Sequence, residues 1–138
     1  MEQPSLILTI NLEDFFTKKV KNLPCQKTTK AYIISIFSKY QTTKNDLSKK
    51  SITLEYLQAK LEYSFERFQN IGDWLFFSKA IFPESLNNAS EEYYDSVAQM
   101  SYFKCYKIIK QWVLFEELSD RYTDLTKHLR DEIQASLL

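Results

Sequence analysis

The chain has 138 residues, 44% of them hydrophobic and 26% charged, and its formal net charge at pH 7 is zero. This composition excludes a largely disordered chain and predicts one globular domain, long enough to bury a core without disulfides or a structural metal. Ten Phe, nine Tyr and two Trp supply bulky side chains for that core.

The charge is distributed unevenly along the chain. Residues 17–54 carry nine lysines and one acid, a net charge of +8, whereas residues 55–138 carry a net charge of −5. Lys18, Lys19, Lys49 and Lys50 therefore form a candidate basic contact surface for nucleic-acid phosphates. Because the segment lacks the arginine that recognises phosphates bidentately, lysines that only solubilise the surface are the preferred interpretation, and nucleic acid is a possible but not a favoured partner. An acidic protein, or the acidic half of a second copy, fits this surface equally well.

The first residues, Pro4 to Asn11, alternate apolar and polar side chains like a strand, but no partner strand follows. An extended arm over residues 1–11 is favoured, with an early helix turn as the alternative. A first helix is predicted between Asn11, which caps it, and Pro24, which stops it. A second runs from about residue 29 to 40, where β-branched residues leave a strand as the alternative, and residues 41–51 form a lysine-rich loop.

The central prediction is one continuous core helix over residues 53–82. Apolar residues recur in steps of three and four along it, and the run from Trp74 to Phe77 leaves almost no polar face. Gly72 lies within this pattern and requires either a closely packed neighbour or a helix end there. The unbroken register favours the close neighbour.

Pro83 ends this helix, and Ser90 is the predicted cap of the next. That fourth helix carries small Ala98, Ser101 and Cys105 on one face, which permits close approach of Gly72. A break is predicted near residues 110–113, because a single helix from Ser90 to Leu138 would be exceptionally long.

A fifth, amphipathic helix then reaches the C-terminus. Its stripe is longer than a compact monomer is expected to cover, so we interpret it as the face of a homodimer. The residues of this predicted dimer face are Leu118, Tyr122, Leu125, Leu129 and Ile133. The predicted fold is an all-α, single-domain bundle of about five helices.

Side chains typical of an active site are sparse. Asp73, Glu84, Tyr93 and Tyr94 lie near the two ends of the core region and are candidates for a pocket, although capping and turn formation explain them more simply. The only histidine, His128, has acids near it but no second nitrogen ligand, so no metal is predicted. No catalytic residue and no cofactor are predicted, because no nucleophile elbow or phosphate-binding loop is present.

The cysteine pattern and the hydropathy of the chain indicate the cellular compartment of the protein. Cys25 and Cys105 are far apart and outside any paired cysteine motif, so we expect free thiols. The chain shows no secretory leader pattern and no apolar run long enough for a membrane span, so a cytoplasmic protein without a membrane span is expected.

The C-terminal half carries an ordered set of motifs, Gly72-Asp73-Trp74-Leu75-Phe76-Phe77, Phe82-Pro83-Glu84-Ser85-Leu86, Tyr93-Tyr94 and Phe115-Glu116-Glu117-Leu118. This order and spacing resemble a pattern in a family of small, uncharacterised bacterial helical proteins. The resemblance implies a helical bacterial domain and transfers no catalytic residue, since the family has no established activity.

Three functions follow from the sequence as hypotheses. The first is a non-enzymatic interaction or regulatory protein that acts through apolar helix faces. The second is a nucleic-acid-associated regulator that uses residues 17–54. The third is a small-molecule binder or small enzyme with a pocket near Asp73 and Tyr94.

Overall fold

The structure is a computed structural model and describes residues 13–42, 51–110 and 112–137. These residues form six α-helices and one short 3₁₀ turn: α1 (13–21), α2 (Lys27–Thr42), α3 (Ile52–Glu62), α4 (Phe65–Ile81), the turn Pro83–Ser85, α5 (Glu91–Ile108) and α6 (Val113–Leu137). The predicted all-α, single-domain bundle is confirmed. The proposed arm at residues 1–11 lies outside the described residues, as does most of the proposed loop at 41–51.

The core helix predicted over residues 53–82 is wrong in one respect, because it is two helices. α3 ends at Glu62, Tyr63 adopts the left-handed conformation with φ of 50°, and the side chain of Ser64 accepts a hydrogen bond from the Arg67 amide to cap α4. The backbone N–H groups of Tyr63 and Ser64 both donate hydrogen bonds to carbonyls in the last turn of α3. The apolar register continues across this turn, which explains why the pattern predicted no break.

Gly72 lies inside α4 and does not interrupt it. A Cβ built on Gly72 would lie 2.8 Å from two ring atoms of Tyr102 in α5. The predicted close approach between these helices is therefore confirmed. Its partner is a tyrosine ring rather than the small residues Ala98, Ser101 and Cys105, which are themselves buried.

α4 is the central element, and it contacts α2, α3, α5 and α6. Its side chains Ile71, Leu75 and Phe76 are fully buried. Phe77, predicted as core, is only half-buried, and its ring packs against the rings of Phe37 and Tyr40 in α2. The chain reverses after α4 as predicted, and the Ser90 hydroxyl caps α5 by accepting from the Tyr93 amide. The predicted break after α5 is also confirmed, since α5 ends at Ile108 and α6 starts at Val113.

The apolar stripe of α6 lies inside the bundle. This finding corrects the expectation that a monomer leaves the stripe uncovered, because α6 packs against α2, α4 and α5. The ring of Tyr122, for example, meets Phe76 of α4 edge to face at a centroid distance of 5.8 Å. All five residues of the predicted dimer face are buried within one chain: Leu118, Tyr122, Leu125, Leu129 and Ile133.

Candidate functional site

Asp73 is the first of the predicted pocket residues, and it lies in the core rather than in a pocket. Its carboxylate is 4% exposed and accepts hydrogen bonds of 2.8 Å from the hydroxyls of Tyr32 in α2 and Tyr102 in α5. Gln69 donates in turn to the Tyr32 hydroxyl. The cluster therefore joins α2, α4 and α5 through one buried acid.

Burial dominates the chemistry of this acid. It raises the pKa of Asp73 from 3.8 to about 6, although both tyrosine hydrogen bonds and the more distant charge of Lys39 act in the opposite direction. Burial and the neighbouring carboxylate raise the pKa of both phenols far above their ordinary range. The two tyrosines are therefore obligate donors to Asp73 near neutral pH.

Tyr93 and Tyr94 lie together at the edge of a surface cleft of about 220 Å³. The cleft lies where the start of α3, the start of α5 and the turn after α4 meet. Glu84 is next to the wall residue Ser85 but does not itself line the cleft, and neither does Asp73. The structure thus brings two of the four predicted pocket residues together and places the other two elsewhere. The complete wall consists of Ser51, Ile52, Thr53, Trp74, Ser85, Leu86, Asn88, Ala89, Tyr93 and Tyr94.

A buried ion pair escaped the sequence analysis. The Lys79 ammonium group, on a side chain only 2% exposed, donates to both carboxylate oxygens of Asp95 at 3.0 and 2.9 Å. It also lies 5.4 Å from the centre of the Tyr122 ring. The signal available in the sequence was a lysine within an otherwise apolar run, since a buried cation requires a partner.

This ion pair borders a second, smaller cavity of about 40 Å³, which has room for one or two water molecules. Glu91 and Arg130 complete its charged wall and lie 3.7 Å apart. Tyr94 and Leu86 line both this cavity and the larger cleft. The small charged cavity and the larger cleft are therefore adjacent, and Tyr94 lies in the walls of both.

The candidate basic surface is described only in part. Lys18 is exposed and forms a 3.4 Å ion pair with Asp14, one turn earlier in α1, while the ammonium of Lys19 lies over the ring of Phe15. Lys49 and Lys50 fall outside the described residues. The proposed nucleic-acid surface thus stays a prediction.

The remaining chemical candidates are a histidine and two cysteines. His128 is exposed on α6, and the described part of the chain contains no group of three or more His, Cys, Asp or Glu arranged to hold a metal ion. Cys25 and Cys105 are both free. Burial raises the pKa of the Cys105 thiol well above 9, and its sulfur donates to the Phe65 carbonyl, so it is a poor nucleophile.

Among the described residues, the most exposed apolar surface lies on α3. Leu54, Leu57 and Leu61 are 67%, 47% and 82% exposed, and Tyr63 after the helix is also exposed. Helical spacing places the three leucines opposite Ile52 and Ala59, the two residues that α3 buries in the core. We call the three leucines the α3 leucine face. Their exposure corrects the predicted core helix over residues 53–82, which includes all three.

The helices within the described ranges include none that combines the length and the apolar character needed to cross a membrane. Comparisons of the chain with protein-family models, with curated proteins and with solved structures found no match.

Proposed function

We propose that this chain is a non-enzymatic interaction protein that associates with a second copy of itself through the α3 leucine face. The observation that carries this proposal is the exposure of Leu54, Leu57 and Leu61, three large apolar side chains on one side of one helix. Exposed apolar surface of this kind is uncommon on monomers unless it is an interaction site. The resemblance to small bacterial helical proteins without established activity is compatible with this role.

The spacing of the leucines suits a helix as the partner surface. Leu54, Leu57 and Leu61 follow steps of three and four, the spacing with which one helix packs its side chains between those of another. The positions that flank this seam are occupied by Thr53, Gln58 and Lys60, of which only Lys60 is charged. The seam itself is apolar, and each copy contributes one cation at its edge.

The charge of the whole chain favours a second copy over an oppositely charged partner. Its formal net charge is zero, and proteins near zero net charge associate more readily than those with a large charge of one sign.

The size of the α3 leucine face determines how strong the association is expected to be. α3 has 11 residues and is only about 16 Å long. One face of so short a helix cannot bury the roughly 800 Å² that each partner contributes to a standard interface. The proposed dimer is accordingly weak and reversible.

Sedimentation velocity over a wide concentration series tests the proposal. We expect the mass to rise from 16.4 kDa toward twice that value with concentration, and the double variant Leu57→Glu/Leu61→Glu to stay at 16.4 kDa with unchanged helicity. Met100→Glu/Phe103→Glu, which changes two exposed apolar residues of α5, is the matched control and should dimerise normally. A wild-type chain that stays monomeric at every concentration contradicts the proposal, as does a dimer that only the α5 control abolishes.

A further inference from the structure

The cleft beside Tyr93 and Tyr94 is formed by residues that are distant in the sequence. The start of α3 supplies Ser51 and Thr53, the middle of α4 supplies Trp74, and the segment between α4 and α5 supplies Asn88. Together with Tyr93 and Tyr94 of α5, four separate parts of the chain thus enclose a volume of about 220 Å³, somewhat below the roughly 300 Å³ at which typical small-molecule sites begin.

The wall of the cleft is polar but uncharged. Seven of its ten residues carry a hydroxyl, an amide or an indole N–H, and none of the ten is Asp, Glu, Lys, Arg or His. The remaining residues, Ile52, Leu86 and Ala89, are apolar. A wall of this kind exchanges hydrogen bonds with a ligand but has no opposite charge to offset the desolvation of an ion.

Several of these polar groups are already engaged in local contacts that fix their positions. The Ser51 hydroxyl accepts from the backbone N–H of Leu54, the Tyr94 hydroxyl accepts from the backbone N–H of Asn88, and the hydroxyls of Thr53 and Tyr93 contact each other. Each of these hydroxyls retains hydrogen-bonding capacity beyond that contact, because a hydroxyl has one donor and two acceptor positions. The wall therefore presents both donors and acceptors in fixed places.

Trp74 is the largest aromatic side chain in the wall. Its side chain is 9% exposed. Its indole N–H can only donate. A ligand that occupies the cleft can offer an oxygen atom to this donor, while its carbon framework packs on the aromatic ring.

We propose that the cleft is a binding site for a small, neutral, polyhydroxylated molecule of the size of a monosaccharide. Such a molecule offers oxygen acceptors to the Trp74 N–H. Its hydroxyls donate to and accept from Asn88, Thr53 and Tyr93, and it brings no charge into an uncharged wall. The site borders the α3 leucine face at Thr53, but none of the three leucines of that face lines the cleft.

The experiment uses Trp74 as its own reporter. Trp112 is the second of the two tryptophans and lies outside the cleft wall, so Trp112→Phe leaves Trp74 as the sole source of indole fluorescence. This variant is titrated with D-glucose, D-galactose, D-ribose and myo-inositol, and with glucose 6-phosphate as the charged counterpart. We expect a saturable change in emission with at least one neutral probe, at a Kd of about 1 mM or tighter.

Two neighbouring asparagines give a matched pair of variants. Asn88→Ala removes an amide from the cleft wall, so it should weaken binding by about two- to tenfold through the loss of one or two hydrogen bonds. Asn87→Ala changes the adjacent exposed residue, which does not line the cleft, and should leave the affinity unchanged. Both are made in the Trp112→Phe background, and circular dichroism confirms that each is folded.

Three outcomes would overturn the proposal. One is the lack of any saturable emission change with all four neutral probes at about 10 mM, well above the expected Kd. Another is tighter binding of glucose 6-phosphate than of glucose, which would assign the cleft to anions. The third is binding that Asn88→Ala and Asn87→Ala affect equally, which would locate it outside the cleft.

Discussion

The ring of Tyr102 lies against the backbone of Gly72, so that a Cβ at this position would stand 2.8 Å from ring atoms Cε1 and Cζ. We predict that Gly72→Ala lowers the free energy of unfolding by about 1–3 kcal/mol, because overpacking outweighs the gain of about 1 kcal/mol in helix propensity. The Tyr102 ring has little freedom to move, since its hydroxyl is bonded to Asp73. Urea titration monitored by circular dichroism measures the change.

Ser96→Ala is the matched control for this prediction. Ser96 is an exposed residue within α5, so its replacement by Ala should stabilise the helix by a few tenths of a kcal/mol. The two variants are thus expected to change stability in opposite directions. A Gly72→Ala protein at least as stable as the wild type would mean that the Tyr102 ring yields, and would remove the packing role of Gly72.

The second prediction concerns pH and Asp73. Its pKa is 3.8 in the unfolded chain and about 6 in the fold, so the folded state binds the extra proton between these values. Stability from this group is therefore present below pH 3.8, falls as the pH rises through 6, and is lost above it. The total change is on the order of 3 kcal/mol.

Asp73→Asn isolates this contribution, because its amide oxygen still accepts from Tyr32 and Tyr102 but does not titrate. We expect the unfolding free energy of the variant, relative to wild type, to rise between pH 4 and pH 7. Denaturant titrations of both proteins at matched pH values give this difference and cancel the contributions of all other carboxylates. A difference that is flat across this range, or that falls with pH, would show that the buried acid is not proton-linked in this way.

Local signals explain which parts of the fold the sequence predicted. The Ser90 cap, the turn at Pro83 and the break between Ile108 and Val113 depend on residues within one or two helical turns, and all three are present. The turn at Tyr63 gave no such signal, because tyrosine rarely adopts φ of 50° and the apolar register runs on through it. Its only indication was Ser64, a residue type that commonly caps helices and here caps α4.

The local sequence pattern could not predict which apolar side chains lie in the core and which lie on the surface. Leu57 of α3 and Leu125 of α6 both lie at regularly spaced apolar positions, yet the first is exposed and the second is fully buried. The difference arises because α6 packs on three helices, whereas α3 lies at the edge of the bundle mainly against α4. The sequence could not identify the partner of Lys79 for the same reason, because Asp95 contacts Lys79 only where α4 packs on α5.

The third prediction addresses the buried ion pair of Lys79 and Asp95. Removing one charge leaves the other buried without its partner, so Lys79→Met should lower stability by about 3–5 kcal/mol. The double variant Lys79→Met/Asp95→Leu removes both charges and should recover most of that loss. Chemical denaturation of the two single variants and the double variant completes the cycle. Additive losses in the double variant would argue that the two side chains are not energetically coupled.

The fourth prediction compares two adjacent parts of α4. Leu75 is fully buried in the core, whereas Phe77 is only half-buried. Leu75→Asp places an unpaired carboxylate in an apolar environment at a cost of several kcal/mol, which is enough to unfold a domain of ordinary stability. Phe77→Asp should leave a folded protein with a lower melting temperature, because water can reach the new carboxylate. Thermal melts followed at 222 nm decide the matter, and equal effects of the two substitutions would contradict the packing of α4 described above.

The last prediction concerns Tyr63, the residue at which α3 ends. Its φ of 50° lies in the left-handed region, where a non-glycine residue costs about 1–2 kcal/mol, and its side chain is 61% exposed. Tyr63→Gly removes this strain and sacrifices little burial. After the greater entropy of glycine in the unfolded chain is subtracted, we expect a gain of about 1 kcal/mol, measured as a higher urea midpoint. Gln58→Gly, within the same exposed helix but at an ordinary helical position, should instead destabilise by about 1 kcal/mol. Opposite signs for the two glycine substitutions would establish the left-handed turn between α3 and α4, whereas a loss of stability in both would mean that residues 53–82 form the continuous helix that the sequence pattern predicts.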